Sequence, residues 1–163
     1  MTTAADRSAS VREMILTREF DAPRAIVFRA WIEPEQMARW WGPKDFTNPV
    51  CELDPRPGGS IRIDMRAPDG AVYPMTGTFL EVVEPERLVF TSTAFEDDDG
   101  EAGLEVVTTV AFAECGGKTR LTVHANVVHA SPEMAGALNG MDEGWSQSLD
   151  RLADLAASTG GSR

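Results

Sequence analysis

The sequence predicts an α+β domain: a curved antiparallel sheet of about seven strands around a long C-terminal helix, with two short helices after the first strand. Three observations predict it. From Asn48 to Val128 short alternating runs are separated by turn residues, as consecutive hairpins require. Met134, Leu138, Met141, Trp145, Leu149, Leu152 and Ala156 recur at spacings of three and four, the apolar stripe of an amphipathic helix. Two prolines, Pro23 and Pro34, each open a short helical segment between the first strand and the hairpins. The helix stripe has to be buried, and one face of the sheet is the surface available to it.

Val11 to Phe20 is rich in strand formers, with Val11, Ile15 and Phe20 among charges, and forms the first strand. Asp21-Ala22-Pro23 predicts a helix start, Asp21 capping free backbone N–H groups and Pro23 occupying the first turn. The helix runs through Trp31, with Ile26, Val27, Ala30 and Trp31 on one side. Glu33-Pro34-Glu35 interrupts it and starts a second, because proline has no N–H to give and is cheap only in a first turn. This second helix carries MARWWGP. Met37, Trp40 and Trp41 share one side at i, i+3 and i+4, and Gly42-Pro43 supplies the stop.

The remaining strands are predicted at Val50 to Asp54, Ser60 to Arg66, Val72 to Val83, Arg87 to Phe95, Leu104 to Ala113 and Lys118 to Val128. The stretches between them contain Gly, Pro or Asp in turn-forming contexts. Ser131-Pro132-Glu133 combines a cap, a first-turn proline and an acidic first turn, and opens the long helix. Glu143, Asp150 and Asp154 lie opposite its stripe. Gly136, Gly140 and Gly144 cost it roughly 0.5–1 kcal/mol each, so either a backbone approaches closely there, the first half is loose, or the helix breaks at Asn139-Gly140. Residues 11–157 form one domain, with 1–10 and 158–163 as flexible tails.

The 163 residues are 42% hydrophobic and 25% charged, the composition of a packed domain. A chain of this length buries roughly two-thirds of its unfolded surface. Fifteen Lys and Arg against 26 Asp and Glu give a net charge of -11, which repels phosphate backbones and anionic headgroups. Nucleic-acid and membrane partners are therefore not expected. MTTAADRSAS is polar where a signal peptide needs an apolar stretch, so a cytoplasmic location is expected. Cys51 and Cys115 have no Cys or His neighbours at metal-ligand spacing, and read as reduced, buried or half-buried thiols.

Phe20-Asp21-Ala22-Pro23, Trp40-Trp41-Gly42-Pro43, Pro57-Gly58-Gly59, Glu84 to Thr91, Thr119 to Thr122 and Gly144 to Leu152 occur in the order found in the SRPBCC (START-like) superfamily. The chain most resembles the branch of homologues of the activator of heat-shock-protein ATPase, over roughly Val11 to Ala157. The resemblance implies a helix-grip fold with a cavity between the long helix and the sheet. Superfamily relatives include lipid carriers, hormone-binding proteins, polyketide cyclases and a chaperone-activating domain, so function is argued from the site.

A ligand pocket needs apolar walls and a few placed polar groups. In the resembled fold its contributors are Trp41 near the entrance, Met65, Tyr73, Met75 and Phe90 from strands, and Met141, Trp145 and Leu149 from the helix. Each would serve equally as core packing, but seven methionines suit an adaptable lining. An enzyme would need a general acid or base, and the histidines are His124 and His129. Alternation sets Leu121, Val123, Ala125 and Val127 on one face and His124 on the other, away from the apolar side, while His129 lies just before the long helix. No Ser-His-Asp or Cys-His order has a nucleophile context.

Gly117-Lys118-Thr119 resembles the end of a phosphate-binding loop, but Phe112 stands where that loop needs glycine, and it reads as a hairpin turn. Asp97 to Gly100 lacks the spacing of a calcium loop. The expectation is cofactor-free binding of a small hydrophobic molecule. The alternatives are an enzyme of the polyketide cyclase or hydrolase type in the same cavity, and a chaperone-ATPase-stimulating interaction domain. The last ranks lower because the additional N-terminal domain of the activator proteins is not in this sequence. A homodimer is left open, with Trp31 or sheet-edge residues as interface.

Overall fold

The computed structural model describes residues 12–42, 45–96, 102–130 and 141–161. The elements follow as β1 (Arg12–Phe20), α1 (Arg24–Arg29), α2 (Pro34–Trp40), β2 (Thr47–Leu53), β3 (Ser60–Arg66), β4 (Val72–Val83), β5 (Arg87–Glu96), β6 (Ala102–Cys115), β7 (Lys118–Ala130) and α3 (Met141–Gly161). One seven-stranded sheet runs in the order β1-β7-β6-β5-β4-β3-β2, and every neighbouring pair is antiparallel. After β1 the chain crosses through α1 and α2 to the far edge, then returns by consecutive hairpins until β7 lies beside β1. The helix-grip architecture is the observed one.

Turn chemistry fixes the hairpins. Gly116 and Gly117, both at positive φ, join β6 to β7 as a two-residue loop closed by the Cys115–Lys118 pair. Two positive φ values in such a loop match the right-handed twist of the strands, and glycine takes them without steric cost. Gly117-Lys118-Thr119 is thus a hairpin turn into a strand, as the sequence predicts. The loop Asp97–Gly100 lies outside the described residues.

The first helix differs in detail from its prediction. Pro23 is the N-cap residue and no side chain caps it, so Asp21 does not play the expected role. The α-helix ends at Arg29, and Ala30 to Ile32 continue as turns closed by Trp31 N–H to Phe28 C=O (2.9 Å) and Ile32 N–H to Arg29 C=O (3.1 Å). Pro34 opens α2 at its first position, where its missing N–H costs nothing.

The inner face of β7 carries buried Leu121, Val123, Ala125 and Val127, and His124 lies on the opposite face, 3.4 Å from a Glu13 carboxylate oxygen. Along α3, Leu149, Leu152 and Ala156 are buried and Trp145 half-buried, while Glu143, Asp150 and Asp154 are exposed. α3 packs against β1, α1 and α2. Arg18 of β1 ties it down, pairing with Asp150 at 2.7 Å and donating to the Ser146 carbonyl and hydroxyl at 3.1 and 3.0 Å. The predicted start of the long helix at Ser131-Pro132-Glu133, with Met134, Gly136, Leu138 and the Asn139-Gly140 break, lies outside the described residues. At the other end α3 continues past Ala157 to Gly161.

Candidate functional site

All four tryptophans meet in one cluster. Trp31 packs on Trp40 at 4.6 Å between ring centroids, stacks on Trp145 at 6.0 Å with rings 20° apart, and faces Phe90 at 6.2 Å and Phe112 at 6.3 Å. Trp41 stands edge-on to Trp145 at 5.5 Å and near Phe90 at 6.3 Å. Such contacts contribute about 0.5–1.5 kcal/mol each beyond area burial. The cluster joins the two short helices, the middle of the sheet and α3.

Trp31 is fully buried, which removes it as an interface residue. The physical reason is its place in the tight turn after α1, which points the ring inward against Trp40 and Trp145 rather than outward. Trp40 is also fully buried, and its Nε1 donates to the Ala30 carbonyl at 2.8 Å. Trp41 is extended at the end of α2 and 9% exposed.

Side chains from α3 and β2 hold this turn. Gly42 has φ +95°, a conformation that side chains rarely adopt. The last carbonyls of a helix lack internal partners. Here Asn48 Nδ2 donates to Ala38 and Trp41 carbonyls at 2.9 Å each, and Ser148 Oγ to the Gly42 carbonyl at 2.8 Å. Arg151 reaches the Arg39, Trp41 and Gly42 carbonyls at 2.9, 3.2 and 3.1 Å. Burial pulls the Arg151 guanidinium below its ordinary pKa, opposed by nearby Asp45. A cation at a helix C-terminus is favoured by the helix dipole. Sequence reasoning gave Arg151 and Ser148 no role of their own, although both lie in the Gly144 to Leu152 stretch that carries the family resemblance.

Beside the cluster lies an interior space bounded by Trp31, Met37, Trp41, Leu53, Ile61, Ile63, Met75, Phe79 and Phe90. It comprises about 210 Å³ of gaps between side chains, counted to its open edge, and is nowhere wide enough for a water molecule. Among the described residues, aromatic and methionine side chains crowd this space, so it is tighter than the cavity the resemblance implies. Of the predicted pocket residues, Trp41, Met75 and Phe90 border this space. Met65 is half-buried near Gly42, where a Cβ would sit 3.8 Å from its sulfur, and Tyr73 faces Phe46 at 6.5 Å. Leu149 is fully buried core, and Trp145 adjoins the space through Trp31 and Trp41. The side chain of Met141 lies outside the described residues. Trp31, Met37, Leu53, Ile61, Ile63 and Phe79 join the lining unforeseen. Strand alternation would have found the four strand residues Leu53, Ile61, Ile63 and Phe79, which share the inner face with Met75.

The described lining is wholly apolar. Cys51, on the inner face of β2 beside the core, has its thiol pushed up to about 11 by burial and secondarily by Glu52, which keeps it protonated and unreactive at neutral pH. Among the described residues, no group of His, Cys, Asp and Glu is arranged to hold a metal, and no helix is long and apolar enough to cross a membrane.

Comparison with known proteins places this architecture. A protein of known structure from Nitrosomonas europaea is 27% identical and superimposes with a TM-score of 0.72, covering 90% of this chain and 95% of its own. The AHSA1 protein from Silicibacter pomeroyi is 26% identical, with a TM-score of 0.76 and coverage of 91% and 99%. A protein from Mycobacterium smegmatis is 28% identical, with a TM-score of 0.72 and coverage of 89% and 94%. No curated protein of known function matches the chain. The family described as Activator of Hsp90 ATPase homolog 1-like protein matches residues 21–157, nearly the whole described fold from the end of β1 to the body of α3, and the chain belongs to that family.

Proposed function

We propose that the chain binds a small hydrophobic molecule, without a cofactor, in the interior between α3 and the curved sheet. The observation that supports this reading is an apolar interior with gaps: nine apolar side chains from the second short helix, the turns on either side of it and four strands surround about 210 Å³ of gaps, counted to the open edge, beside the tryptophan cluster. A ligand enters by parting these walls. Met37 and Met75 suit that, being unbranched and adaptable, and Trp41, the last residue of the turn-bound helix end, is a wall that could move with them. The family's fold is of a ligand-binding type, which agrees with the reading.

The described lining offers no titratable side chain to move a proton, and His124 stands on the other face of the sheet. The cyclase or hydrolase alternative therefore has no described residue to rest on at this place. The ATPase-stimulating role in the family's name is not supported by any particular feature of the described surface.

Titration with the neutral fluorophore N-phenyl-1-naphthylamine tests the proposal. Saturable one-to-one binding with quenching of tryptophan emission is expected, weakened about tenfold in Trp41→Ala by loss of the edge ring. Binding that does not saturate, or that Trp41→Ala leaves unchanged together with the quenching, would remove the interior site. Native mass spectrometry of the purified protein would identify any retained molecule and give the assembly state.

A further inference from the structure

The two fully buried indoles of the cluster differ in one respect. Trp40 Nε1 donates to the Ala30 carbonyl at 2.8 Å, whereas Trp31 Nε1 is buried and has no hydrogen-bond partner among the described residues. A buried donor left unpaired is destabilising relative to one that is satisfied, so such a group calls for an explanation. Trp31 is also a wall of the interior space, and the other walls are apolar side chains that offer it no acceptor.

We infer that the interior site takes a neutral apolar molecule carrying a hydrogen-bond acceptor, such as a ketone or ester oxygen, which accepts from Trp31 Nε1. The inference rests on the binding reading above and names the ligand class for it. A lone N–H donor in an apolar wall recognises an oxygen acceptor and gives nothing to a hydroxyl's proton. An ionised ligand is disfavoured, because no described side chain lining the space could pair a charge there, and burying an unpaired charge is far costlier than burying a carbonyl. Among the nearby rings, Trp40 offers a rival partner through an N–H···π contact at 4.6 Å between centroids.

Two shape-matched probes separate these explanations: 2-heptanone and 2-methyl-1-heptene, which differ in C=O against C=CH2. Dissociation constants are measured for both probes on the wild type and on Trp31→Phe, which keeps a ring and removes the donor. The ketone-to-alkene affinity ratio is expected to fall about tenfold in the variant. In 15N-labelled wild type the Trp31 indole N–H resonance is expected to move downfield with the ketone and not with the alkene. An unchanged ratio, or an equal resonance shift with both probes, overturns the inference and leaves the binding site standing. Failure of both probes to bind the wild type removes the site and the inference with it. Should Trp31→Phe not fold, the wild-type resonance decides alone.

Discussion

The inner face of the sheet has two halves built from the same alternation of apolar and polar residues, and they are filled differently. On the β6–β7–β1 side, Val110, Leu121, Val123 and Ala125 are completely enclosed, as are Leu149 and Leu152 of α3. On the β2–β3–β4 side, Ile61, Ile63, Met75 and Phe79 are just as hidden from solvent, yet they border unfilled space. Trp31 sits at the join, touching Phe112 of one half and Phe90 of the other. Burial and filling are thus separate properties. A face can be removed from water and still keep gaps between its side chains, and this looser half is where a ligand that parts them would add contacts.

The largest effect should come from the filled half. Leu152→Ala removes a side chain whose surroundings are fixed, and is expected to destabilise by about 3 kcal/mol. Met75→Ala should cost only about 2 kcal/mol, because the neighbouring Met37 can relax into the gap. Urea unfolding of both variants measures the difference, and equal costs would mean that the halves are packed alike.

Next in size is the clamp between them. Arg151→Met leaves the carbonyls of Arg39, Trp41 and Gly42 without a charged donor, and should cost about 2 kcal/mol. If the clamp also holds the edge ring of the loose half, the near-ultraviolet circular dichroism of the tryptophan cluster should weaken in the same variant. A loss of stability with an unchanged aromatic spectrum would confine Arg151 to the filled half.

The sequence read the fold more fully than the site, and the reason is physical. β3 and β4 match their predicted bounds, Ser60–Arg66 and Val72–Val83, because Pro-Gly-Gly and Pro-Asp-Gly turns stop the strands sharply. β2 begins earlier than predicted, at Thr47, since a strand running through Asn48 and Pro49 at a sheet edge tolerates residues that central strands exclude. Alternation tells which face a side chain takes but not how far along the strand the space extends. Met65 and Tyr73 are directly paired across β3 and β4, yet lie outside the lining that Ile63 and Met75 border two residues away. Helical spacing groups Trp31 with Val27 and Ala30, and all three are buried even though Trp31 lies in the turn beyond α1, so only its interface alternative falls.

A smaller effect separates the paired and unpaired indoles. Trp40→Phe deletes a ring's worth of packing and strands the Ala30 carbonyl, whereas Trp31→Phe deletes similar packing and removes a donor with no partner among the described residues. Trp40→Phe should therefore be the more destabilising by about 1 kcal/mol in urea unfolding without ligand. Equal losses would indicate that the Trp31 N–H is already satisfied by the rings around it.

The smallest effect asks whether the loose half is dry. Cys51 lies there on β2, paired across to Ile63, and burial pushes its thiol from 9.0 up to about 11. The thiol form is favoured in the folded chain, so this contribution to stability is intact below pH 9 and is lost as pH rises from 9 to 11, because the unfolded chain ionises first. At pH 8 the folded protein should present about 100-fold less Cys51 thiolate than the unfolded chain, and alkylation by iodoacetamide, followed by peptide mass spectrometry, should slow in proportion. Alkylation as fast as in urea would mean that water reaches the inner face of β2. The gaps beside Ile63 would then be transiently hydrated, and an incoming apolar ligand would gain affinity by displacing that water as well as by filling space.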